Sequence, residues 1–192
     1  TKSRSLVIQS WVNLSLLFSK GRGTKTWALN NALRKEILIT QGNKRKKCIK
    51  KIISNLTTSI SVPILIVQHI TPGFINGLVD WLRQETDIPI HIAFDGQSVL
   101  PGNIYFAPDD HHMEIMYNGK IALNKQEKIN GLRPTVSHLF NSVANAYGKN
   151  SIGILLSGMG RDGVEELKLL KEKGAVTVAQ DKESSVVYGM PG

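Results

Sequence analysis

Uninterrupted apolar runs alternate along this chain with stretches whose apolar positions recur every three or four residues. Pro63-Ile64-Leu65-Ile66-Val67 and Ile152-Gly153-Ile154-Leu155-Leu156 are continuous, and Ala175 to Gln180 is a further apolar segment. Short runs without polar alternation are what strands covered on both faces require. Ile88-Pro89-Ile90-His91-Ile92-Ala93 and Asn103-Ile104-Tyr105-Phe106-Ala107 predict two more strands, divided by the turn formers Asp95-Gly96 and Pro101-Gly102. The helical period governs Cys48 to Leu56, with Ile49, Ile52, Ile53 and Leu56 on one face, and Phe74 to Glu85, with Phe74, Leu78, Val79 and Leu82 inward. A third helix opens at Arg133-Pro134, aligns Val136, Leu139, Phe140, Val143 and Tyr147, and stops at Gly148. A fourth runs from Val164 to Lys173 and ends at Gly174. Within Met113 to Leu123, Tyr117-Asn118-Gly119-Lys120 is a hairpin signal. Strands alternating with helices predict an α/β fold: a doubly wound, mainly parallel sheet sandwiched by helices, with an inserted β-hairpin.

Charge divides the chain. The formal net charge is +9, yet residues 1–51 hold 13 Lys or Arg against the single acid Glu36, and residues 52–192 are slightly acidic. The densest run is Lys44-Arg45-Lys46-Lys47 with Lys50-Lys51. No nucleic-acid-binding motif accompanies it, so residues 1–47 read as a basic, solvated segment and nucleic acid is not the expected partner. Cys48 is the only cysteine, which excludes an internal disulfide and suits a reducing compartment. The early apolar run Leu14 to Phe18 is far too short to cross a membrane and lacks the pattern of a secretory signal.

Two chemically capable residues stand at the carboxyl ends of different apolar strands. His69 follows the first run, and Asp162 lies in the turn Ser157-Gly158-Met159-Gly160-Arg161-Asp162-Gly163 after the second. Parallel strands put these ends on one edge, where an acid can orient a histidine that removes a proton from a hydroxyl. Amides of the glycine-rich turn suit an oxyanion. As a plain alternative, Asp162 caps the following helix and His69 is a hydrogen-bonded structural residue. Gly158, Gly160 and Gly163 also spell the dinucleotide-binding fingerprint, with Asp181 downstream. Against that reading, Asp162 would sit where a pyrophosphate approaches, and too little chain follows for the second half of such a domain. Asp109-Asp110-His111-His112 could ligate a metal by type, but four adjacent residues do not converge on one ion without a sharply folded loop, so no metal is expected.

With these residues in hand, the chain resembles the catalytic domain of CheB-type protein-glutamate methylesterases of bacterial chemotaxis. The resemblance rests on Pro63 to Phe74, Leu100 to Pro108, Asn130 to Pro134, Gly153 to Gly163, and Ala179-Gln180-Asp181 with Val187 to Pro191, in the family's order. It implies a metal-free, cofactor-free cytoplasmic hydrolase that removes methyl esters from glutamates of methyl-accepting chemotaxis receptors and deamidates certain receptor glutamines. By the same resemblance His69 is the general base and Asp162 the acid that orients it. Met159, with Gly158 and Gly160, forms the oxyanion turn, and Arg133 borders the substrate. The family carries its serine in a Gly-x-Ser-Thr-Gly-Gly turn, expected near Gly42 to Lys46. Here Gln41-Gly42-Asn43-Lys44-Arg45-Lys46-Lys47 has no hydroxyl side chain. The expectation is therefore weak or absent turnover, with a catalytically inactive receptor-binding relative as the alternative. Residues 48–192 read as the catalytic domain, incomplete at its C-terminus, and residues 1–47 as not matching the family. The receiver domain that precedes the family's catalytic domain is not found in this sequence. Ser137 stands where the family commonly has an acid.

Overall fold

The computed structural model describes residues 5–8, 37–43, 46–56, 60–156 and 160–180. In chain order the strands are β1 (Ser5–Ile8), β2 (Ile37–Asn43), β3 (Ile64–His69), β4 (Ile90–Ile92), β5 (Ile104–Phe106), β6 (His112–Ile115), β7 (Ile121–Asn124), β8 (Ser151–Leu155) and β9 (Val176–Gln180). The helices are α1 (Lys46–Asn55), α2 (Ile75–Arg83), α3 (Val136–Ala146) and α4 (Val164–Glu172). Among the described residues one sheet has the order β1-β9-β8-β2-β3-β5-β4, and every neighbouring pair is parallel. The antiparallel β6–β7 hairpin stands apart from it. The predicted doubly wound architecture is the one observed.

Two of the sheet's strands come from the basic first 47 residues. β2 lies between β3 and β8, and β1 lies on the edge beside β9. The unbroken apolar run Ile64 to Val67 of β3 has its reason in this layering. Ile64 and Ile66 join α1 and α2 in one core, through Ile49, Ile53, Leu78 and Val79. Leu65 and Val67 join α3 and the hairpin in the other, through Leu139, Phe140, Met113 and Ile121. Each such side chain contributes about 1.5–3 kcal/mol on burial, which outweighs the propensity differences of short helices. Part of the basic run is used internally: Lys50 Nζ lies 2.6 Å from Glu85 Oε1 and 5.1 Å from the centroid of the Trp81 ring, tying α1 to α2.

Two boundaries differ from the sequence expectation. Phe74 does not face inward; it is 58% exposed at the N-cap of α2, and Ile75 takes the buried position. The stripe Ile75, Leu78, Val79, Leu82 keeps the helical period better than one begun a residue earlier. The third helix starts after Thr135 rather than at Arg133-Pro134. Thr135 has extended backbone (φ −123°, ψ 149°), and its side chain accepts from the His138 amide, so it is the cap and the proline precedes it. The hairpin closes where expected, with Gly119 at φ +74° and the Met116 amide donating to the Lys120 carbonyl at 2.8 Å.

Candidate active site

His69 ends β3, and Asp162 lies between β8 and α4; β2 is the strand between β3 and β8, and Asn43 at its end is the register partner of His69. The two candidate residues do meet. His69 Nε2 lies 2.9 Å from Asp162 Oδ2, with both side chains almost fully buried. The pair thus closes across the carboxyl end of β2.

Asp162 is held by more than its histidine. Oδ2 accepts from the Val136 amide at 2.8 Å, and Oδ1 accepts from the Ser137 amide at 3.0 Å and the Ser137 hydroxyl at 2.8 Å. These amides open α3, where unsatisfied N–H groups and the helix dipole favour a negative group. Burial works against ionisation of Asp162. The hydrogen bonds from His69, from the Val136 and Ser137 amides and from the Ser137 hydroxyl outweigh it, so the carboxyl lies below its ordinary value. The cap expected on the following helix is not made: Gly163 is the N-cap of α4 with no side-chain bond, and the carboxylate binds the start of α3 instead.

Gly163 permits that approach. It has φ +84°, and a Cβ there would lie 2.4 Å from Val136 Cγ1, so only glycine lets the turn close onto α3. This requirement of packing explains the last glycine of the fingerprint without a phosphate. Gly160, at φ +99°, begins the described part of the turn. Gly158, Met159 and Ser157 lie outside the described residues, as does Asp181.

Arg133 is engaged with the rim. Its Nε and Nη2 donate to Asp110 Oδ1 at 3.0 and 2.6 Å, and Nη1 donates to the carbonyls of Lys125 and Gln126 at 2.8 and 2.9 Å. The guanidinium holds the Asp110 carboxyl below its ordinary value. Asp109 Oδ2 accepts from the Gly73 amide at 2.7 Å, joining this rim to the loop after His69. The Asp-Asp-His-His run is dispersed in space. His111 Nδ1 lies 2.9 Å from the Asp109 carbonyl, while the fully buried His112 lies within hydrogen-bond reach of the Glu127 carbonyl and Thr135 Oγ1. Burial is the main influence that lowers the His112 pKa. Among the described residues no group of three or more His, Cys, Asp or Glu could hold a metal. Ser54 donates to the Lys50 carbonyl on α1 and Ser61 precedes β3 at the opposite sheet edge, so neither hydroxyl approaches His69.

Sequence reasoning noticed Ser137 only as a departure from the family pattern; its bond to Asp162 went unseen, because contacts between two helix starts leave no local signal. The Asp110–Arg133 link was equally hidden, its partners being separated by the hairpin.

A parallel doubly wound sheet with a His–Asp pair at its carboxyl edge defines a hydrolase-like α/β domain. The CheB methylesterase family signature matches residues 42–192, and the chain belongs to that family. A protein-glutamate methylesterase/protein-glutamine glutaminase of Nitrosospira multiformis is 43% identical over 97% of this chain and 53% of its own length. That alignment runs well into the first 47 residues. Its counterpart from Syntrophus aciditrophicus is 54% identical over 75% of this chain and 41% of its own length. The chain thus spans about half the length, or less, of these relatives. The CheB methylesterase catalytic domain of Thermotoga maritima superposes with a TM-score of 0.78 at 35% identity, covering 82% of this chain and 85% of that one.

Proposed function

We propose that this chain is an acyl-transfer domain for methylglutamate and glutamine side chains of chemotaxis receptors, built on a serine-hydrolase plan whose nucleophile position is empty of a hydroxyl. The observation that carries the proposal is the buried contact of 2.9 Å between His69 Nε2 and Asp162 Oδ2, beside the end of β2. With Nε2 turned to the carboxylate, Nδ1 is the nitrogen for proton transfer. In a competent site a hydroxyl oxygen attacks the side-chain carbonyl carbon while His69 takes its proton. The C–O or C–N bond breaks, and the same proton leaves with methanol or ammonia. Water then repeats the sequence on the acyl-enzyme and releases the glutamate. Turn amides around Met159, Gly158 and Gly160 would hold the oxyanion, and Arg133 would shape the rim that substrate crosses.

A Gly-x-Ser-Thr-Gly-Gly turn laid on residues 41–46 puts its serine at Asn43, the register partner of His69. The chain as written should release little methanol from methylated receptor, because removing a triad member costs roughly 10³-fold or more. Installing that turn should restore release, and His69→Ala in the restored chain should end it. No methanol from the restored chain would overturn the assignment. Release by the unaltered chain that Ser157→Ala stops would move the nucleophile to the glycine turn. The alternative, an inactive relative that binds receptor helices, is favoured by the Gln41–Lys47 composition; receptor binding without release, before and after restoration, would establish it.

A further inference from the structure

We propose that Ser137 is a positioning residue that couples Glu166, on the partly open face of α4, to the buried His69–Asp162 pair. The inference rests on reading that pair as the site, although it does not require turnover. Three contacts meet at one oxygen. Ser137 Oγ lies 2.8 Å from Asp162 Oδ1 and 2.9 Å from Glu166 Oε2, and it accepts from the Gly163 amide at 3.1 Å.

A hydroxyl has one proton to donate. Asp162 and Glu166 both offer acceptor oxygens, so the Ser137 proton serves one carboxylate at the expense of the other. When it serves Asp162, that carboxylate has four donors around it, from Val136, Ser137 twice, and His69. Its negative charge is then spread thinly, and the bond it accepts from His69 is weaker. When the proton turns to Glu166, Asp162 loses a donor and holds His69 more strongly. Glu166 therefore sets how tightly Asp162 grips the base, through a single rotatable O–H.

The test reads the ring nitrogens of His69 by long-range 1H–15N correlation in the full chain. This observes Nε2 without needing its exchangeable proton. Ser137→Ala should move the Nε2 resonance toward a stronger bond to carboxylate. Glu166→Gln should move it the opposite way, because an amide competes less well for the hydroxyl proton. On the Ser137→Ala background, Glu166→Gln should leave only a residual shift, and Ser137→Thr should keep the starting position. Shifts of the same sign from Ser137→Ala and Glu166→Gln, or none from Glu166→Gln, would overturn the coupling. So would a Glu166→Gln shift undiminished in the double variant. Should Ser137→Ala fail to fold, Glu166→Gln and Ser137→Thr still decide the matter. Coupling seen in this chain, together with no methanol from the chain carrying the installed turn, would sink the proposed function and leave this inference standing.

Discussion

Gly163 and Asp162 are adjacent, yet they fail in different ways when replaced. Gly163→Ala places a methyl 2.4 Å from Val136 Cγ1 at φ +84°, and backbone or α3 must give way. Overpacking of this kind costs about 1–3 kcal/mol, read as a fall in urea midpoint. Asp162→Asn keeps the size but alters the pH response. Because the folded-state pKa of Asp162 is lowered, its contribution to stability is present above the ordinary value of 3.8 and is lost as pH falls through the folded value. Urea midpoints measured from neutral pH down through the carboxylate range should show a shallower acid limb in Asp162→Asn. His112 acts in a higher window. Its folded pKa is also lowered, by burial, so the unfolded chain takes up a proton that the folded chain refuses. Stability is full above 6.5 and declines as pH falls below it, and His112→Phe should flatten that part of the profile.

At the scale of elements, α3 is the piece on which fold and site both depend. Thr135 Oγ1 accepts from the His138 amide and reaches His112 Nδ1 at 3.2 Å, so Thr135→Ala should cost about 0.5–2 kcal/mol in chemical denaturation. Thr135→Ser should recover most of that loss. The elements from Ile64 onward were legible because their patterns are unmixed: β3 and β8 are solid apolar runs, and Leu139, Phe140 and Val143 share one helical face. β1 and β2 were not legible, because they are short apolar pieces inside a segment dominated by Lys and Arg, and charge spoke louder than Ile37-Leu38-Ile39. His69 and Asp162 could be paired from sequence by an edge argument alone. The Ser137–Glu166 contact could not, since it depends on how closely two helix starts approach.

For the molecule as a whole, the position of β2 matters most. It pairs with β3 on one side and β8 on the other, so it joins the two halves of the sheet. Deleting residues 1–43 should abolish the cooperative thermal transition followed by circular dichroism, whereas substituting Lys44 and Arg45 alone should leave it. A truncation that removes the basic charge therefore also removes the strand that joins the sheet's two halves. The attachment of Asp162 to the start of α3 has a consequence for how such a domain ages. A carboxylate that fastens two helix starts stabilises every copy that folds, including copies that no longer turn over substrate. Replacing a serine at the end of β2 undoes no such fastening, whereas replacing this acid weakens the joint between the two helix starts. Decay of the chemistry should then proceed in a fixed order, nucleophile first and acid last, so that an intact acid motif dates the fold rather than the activity.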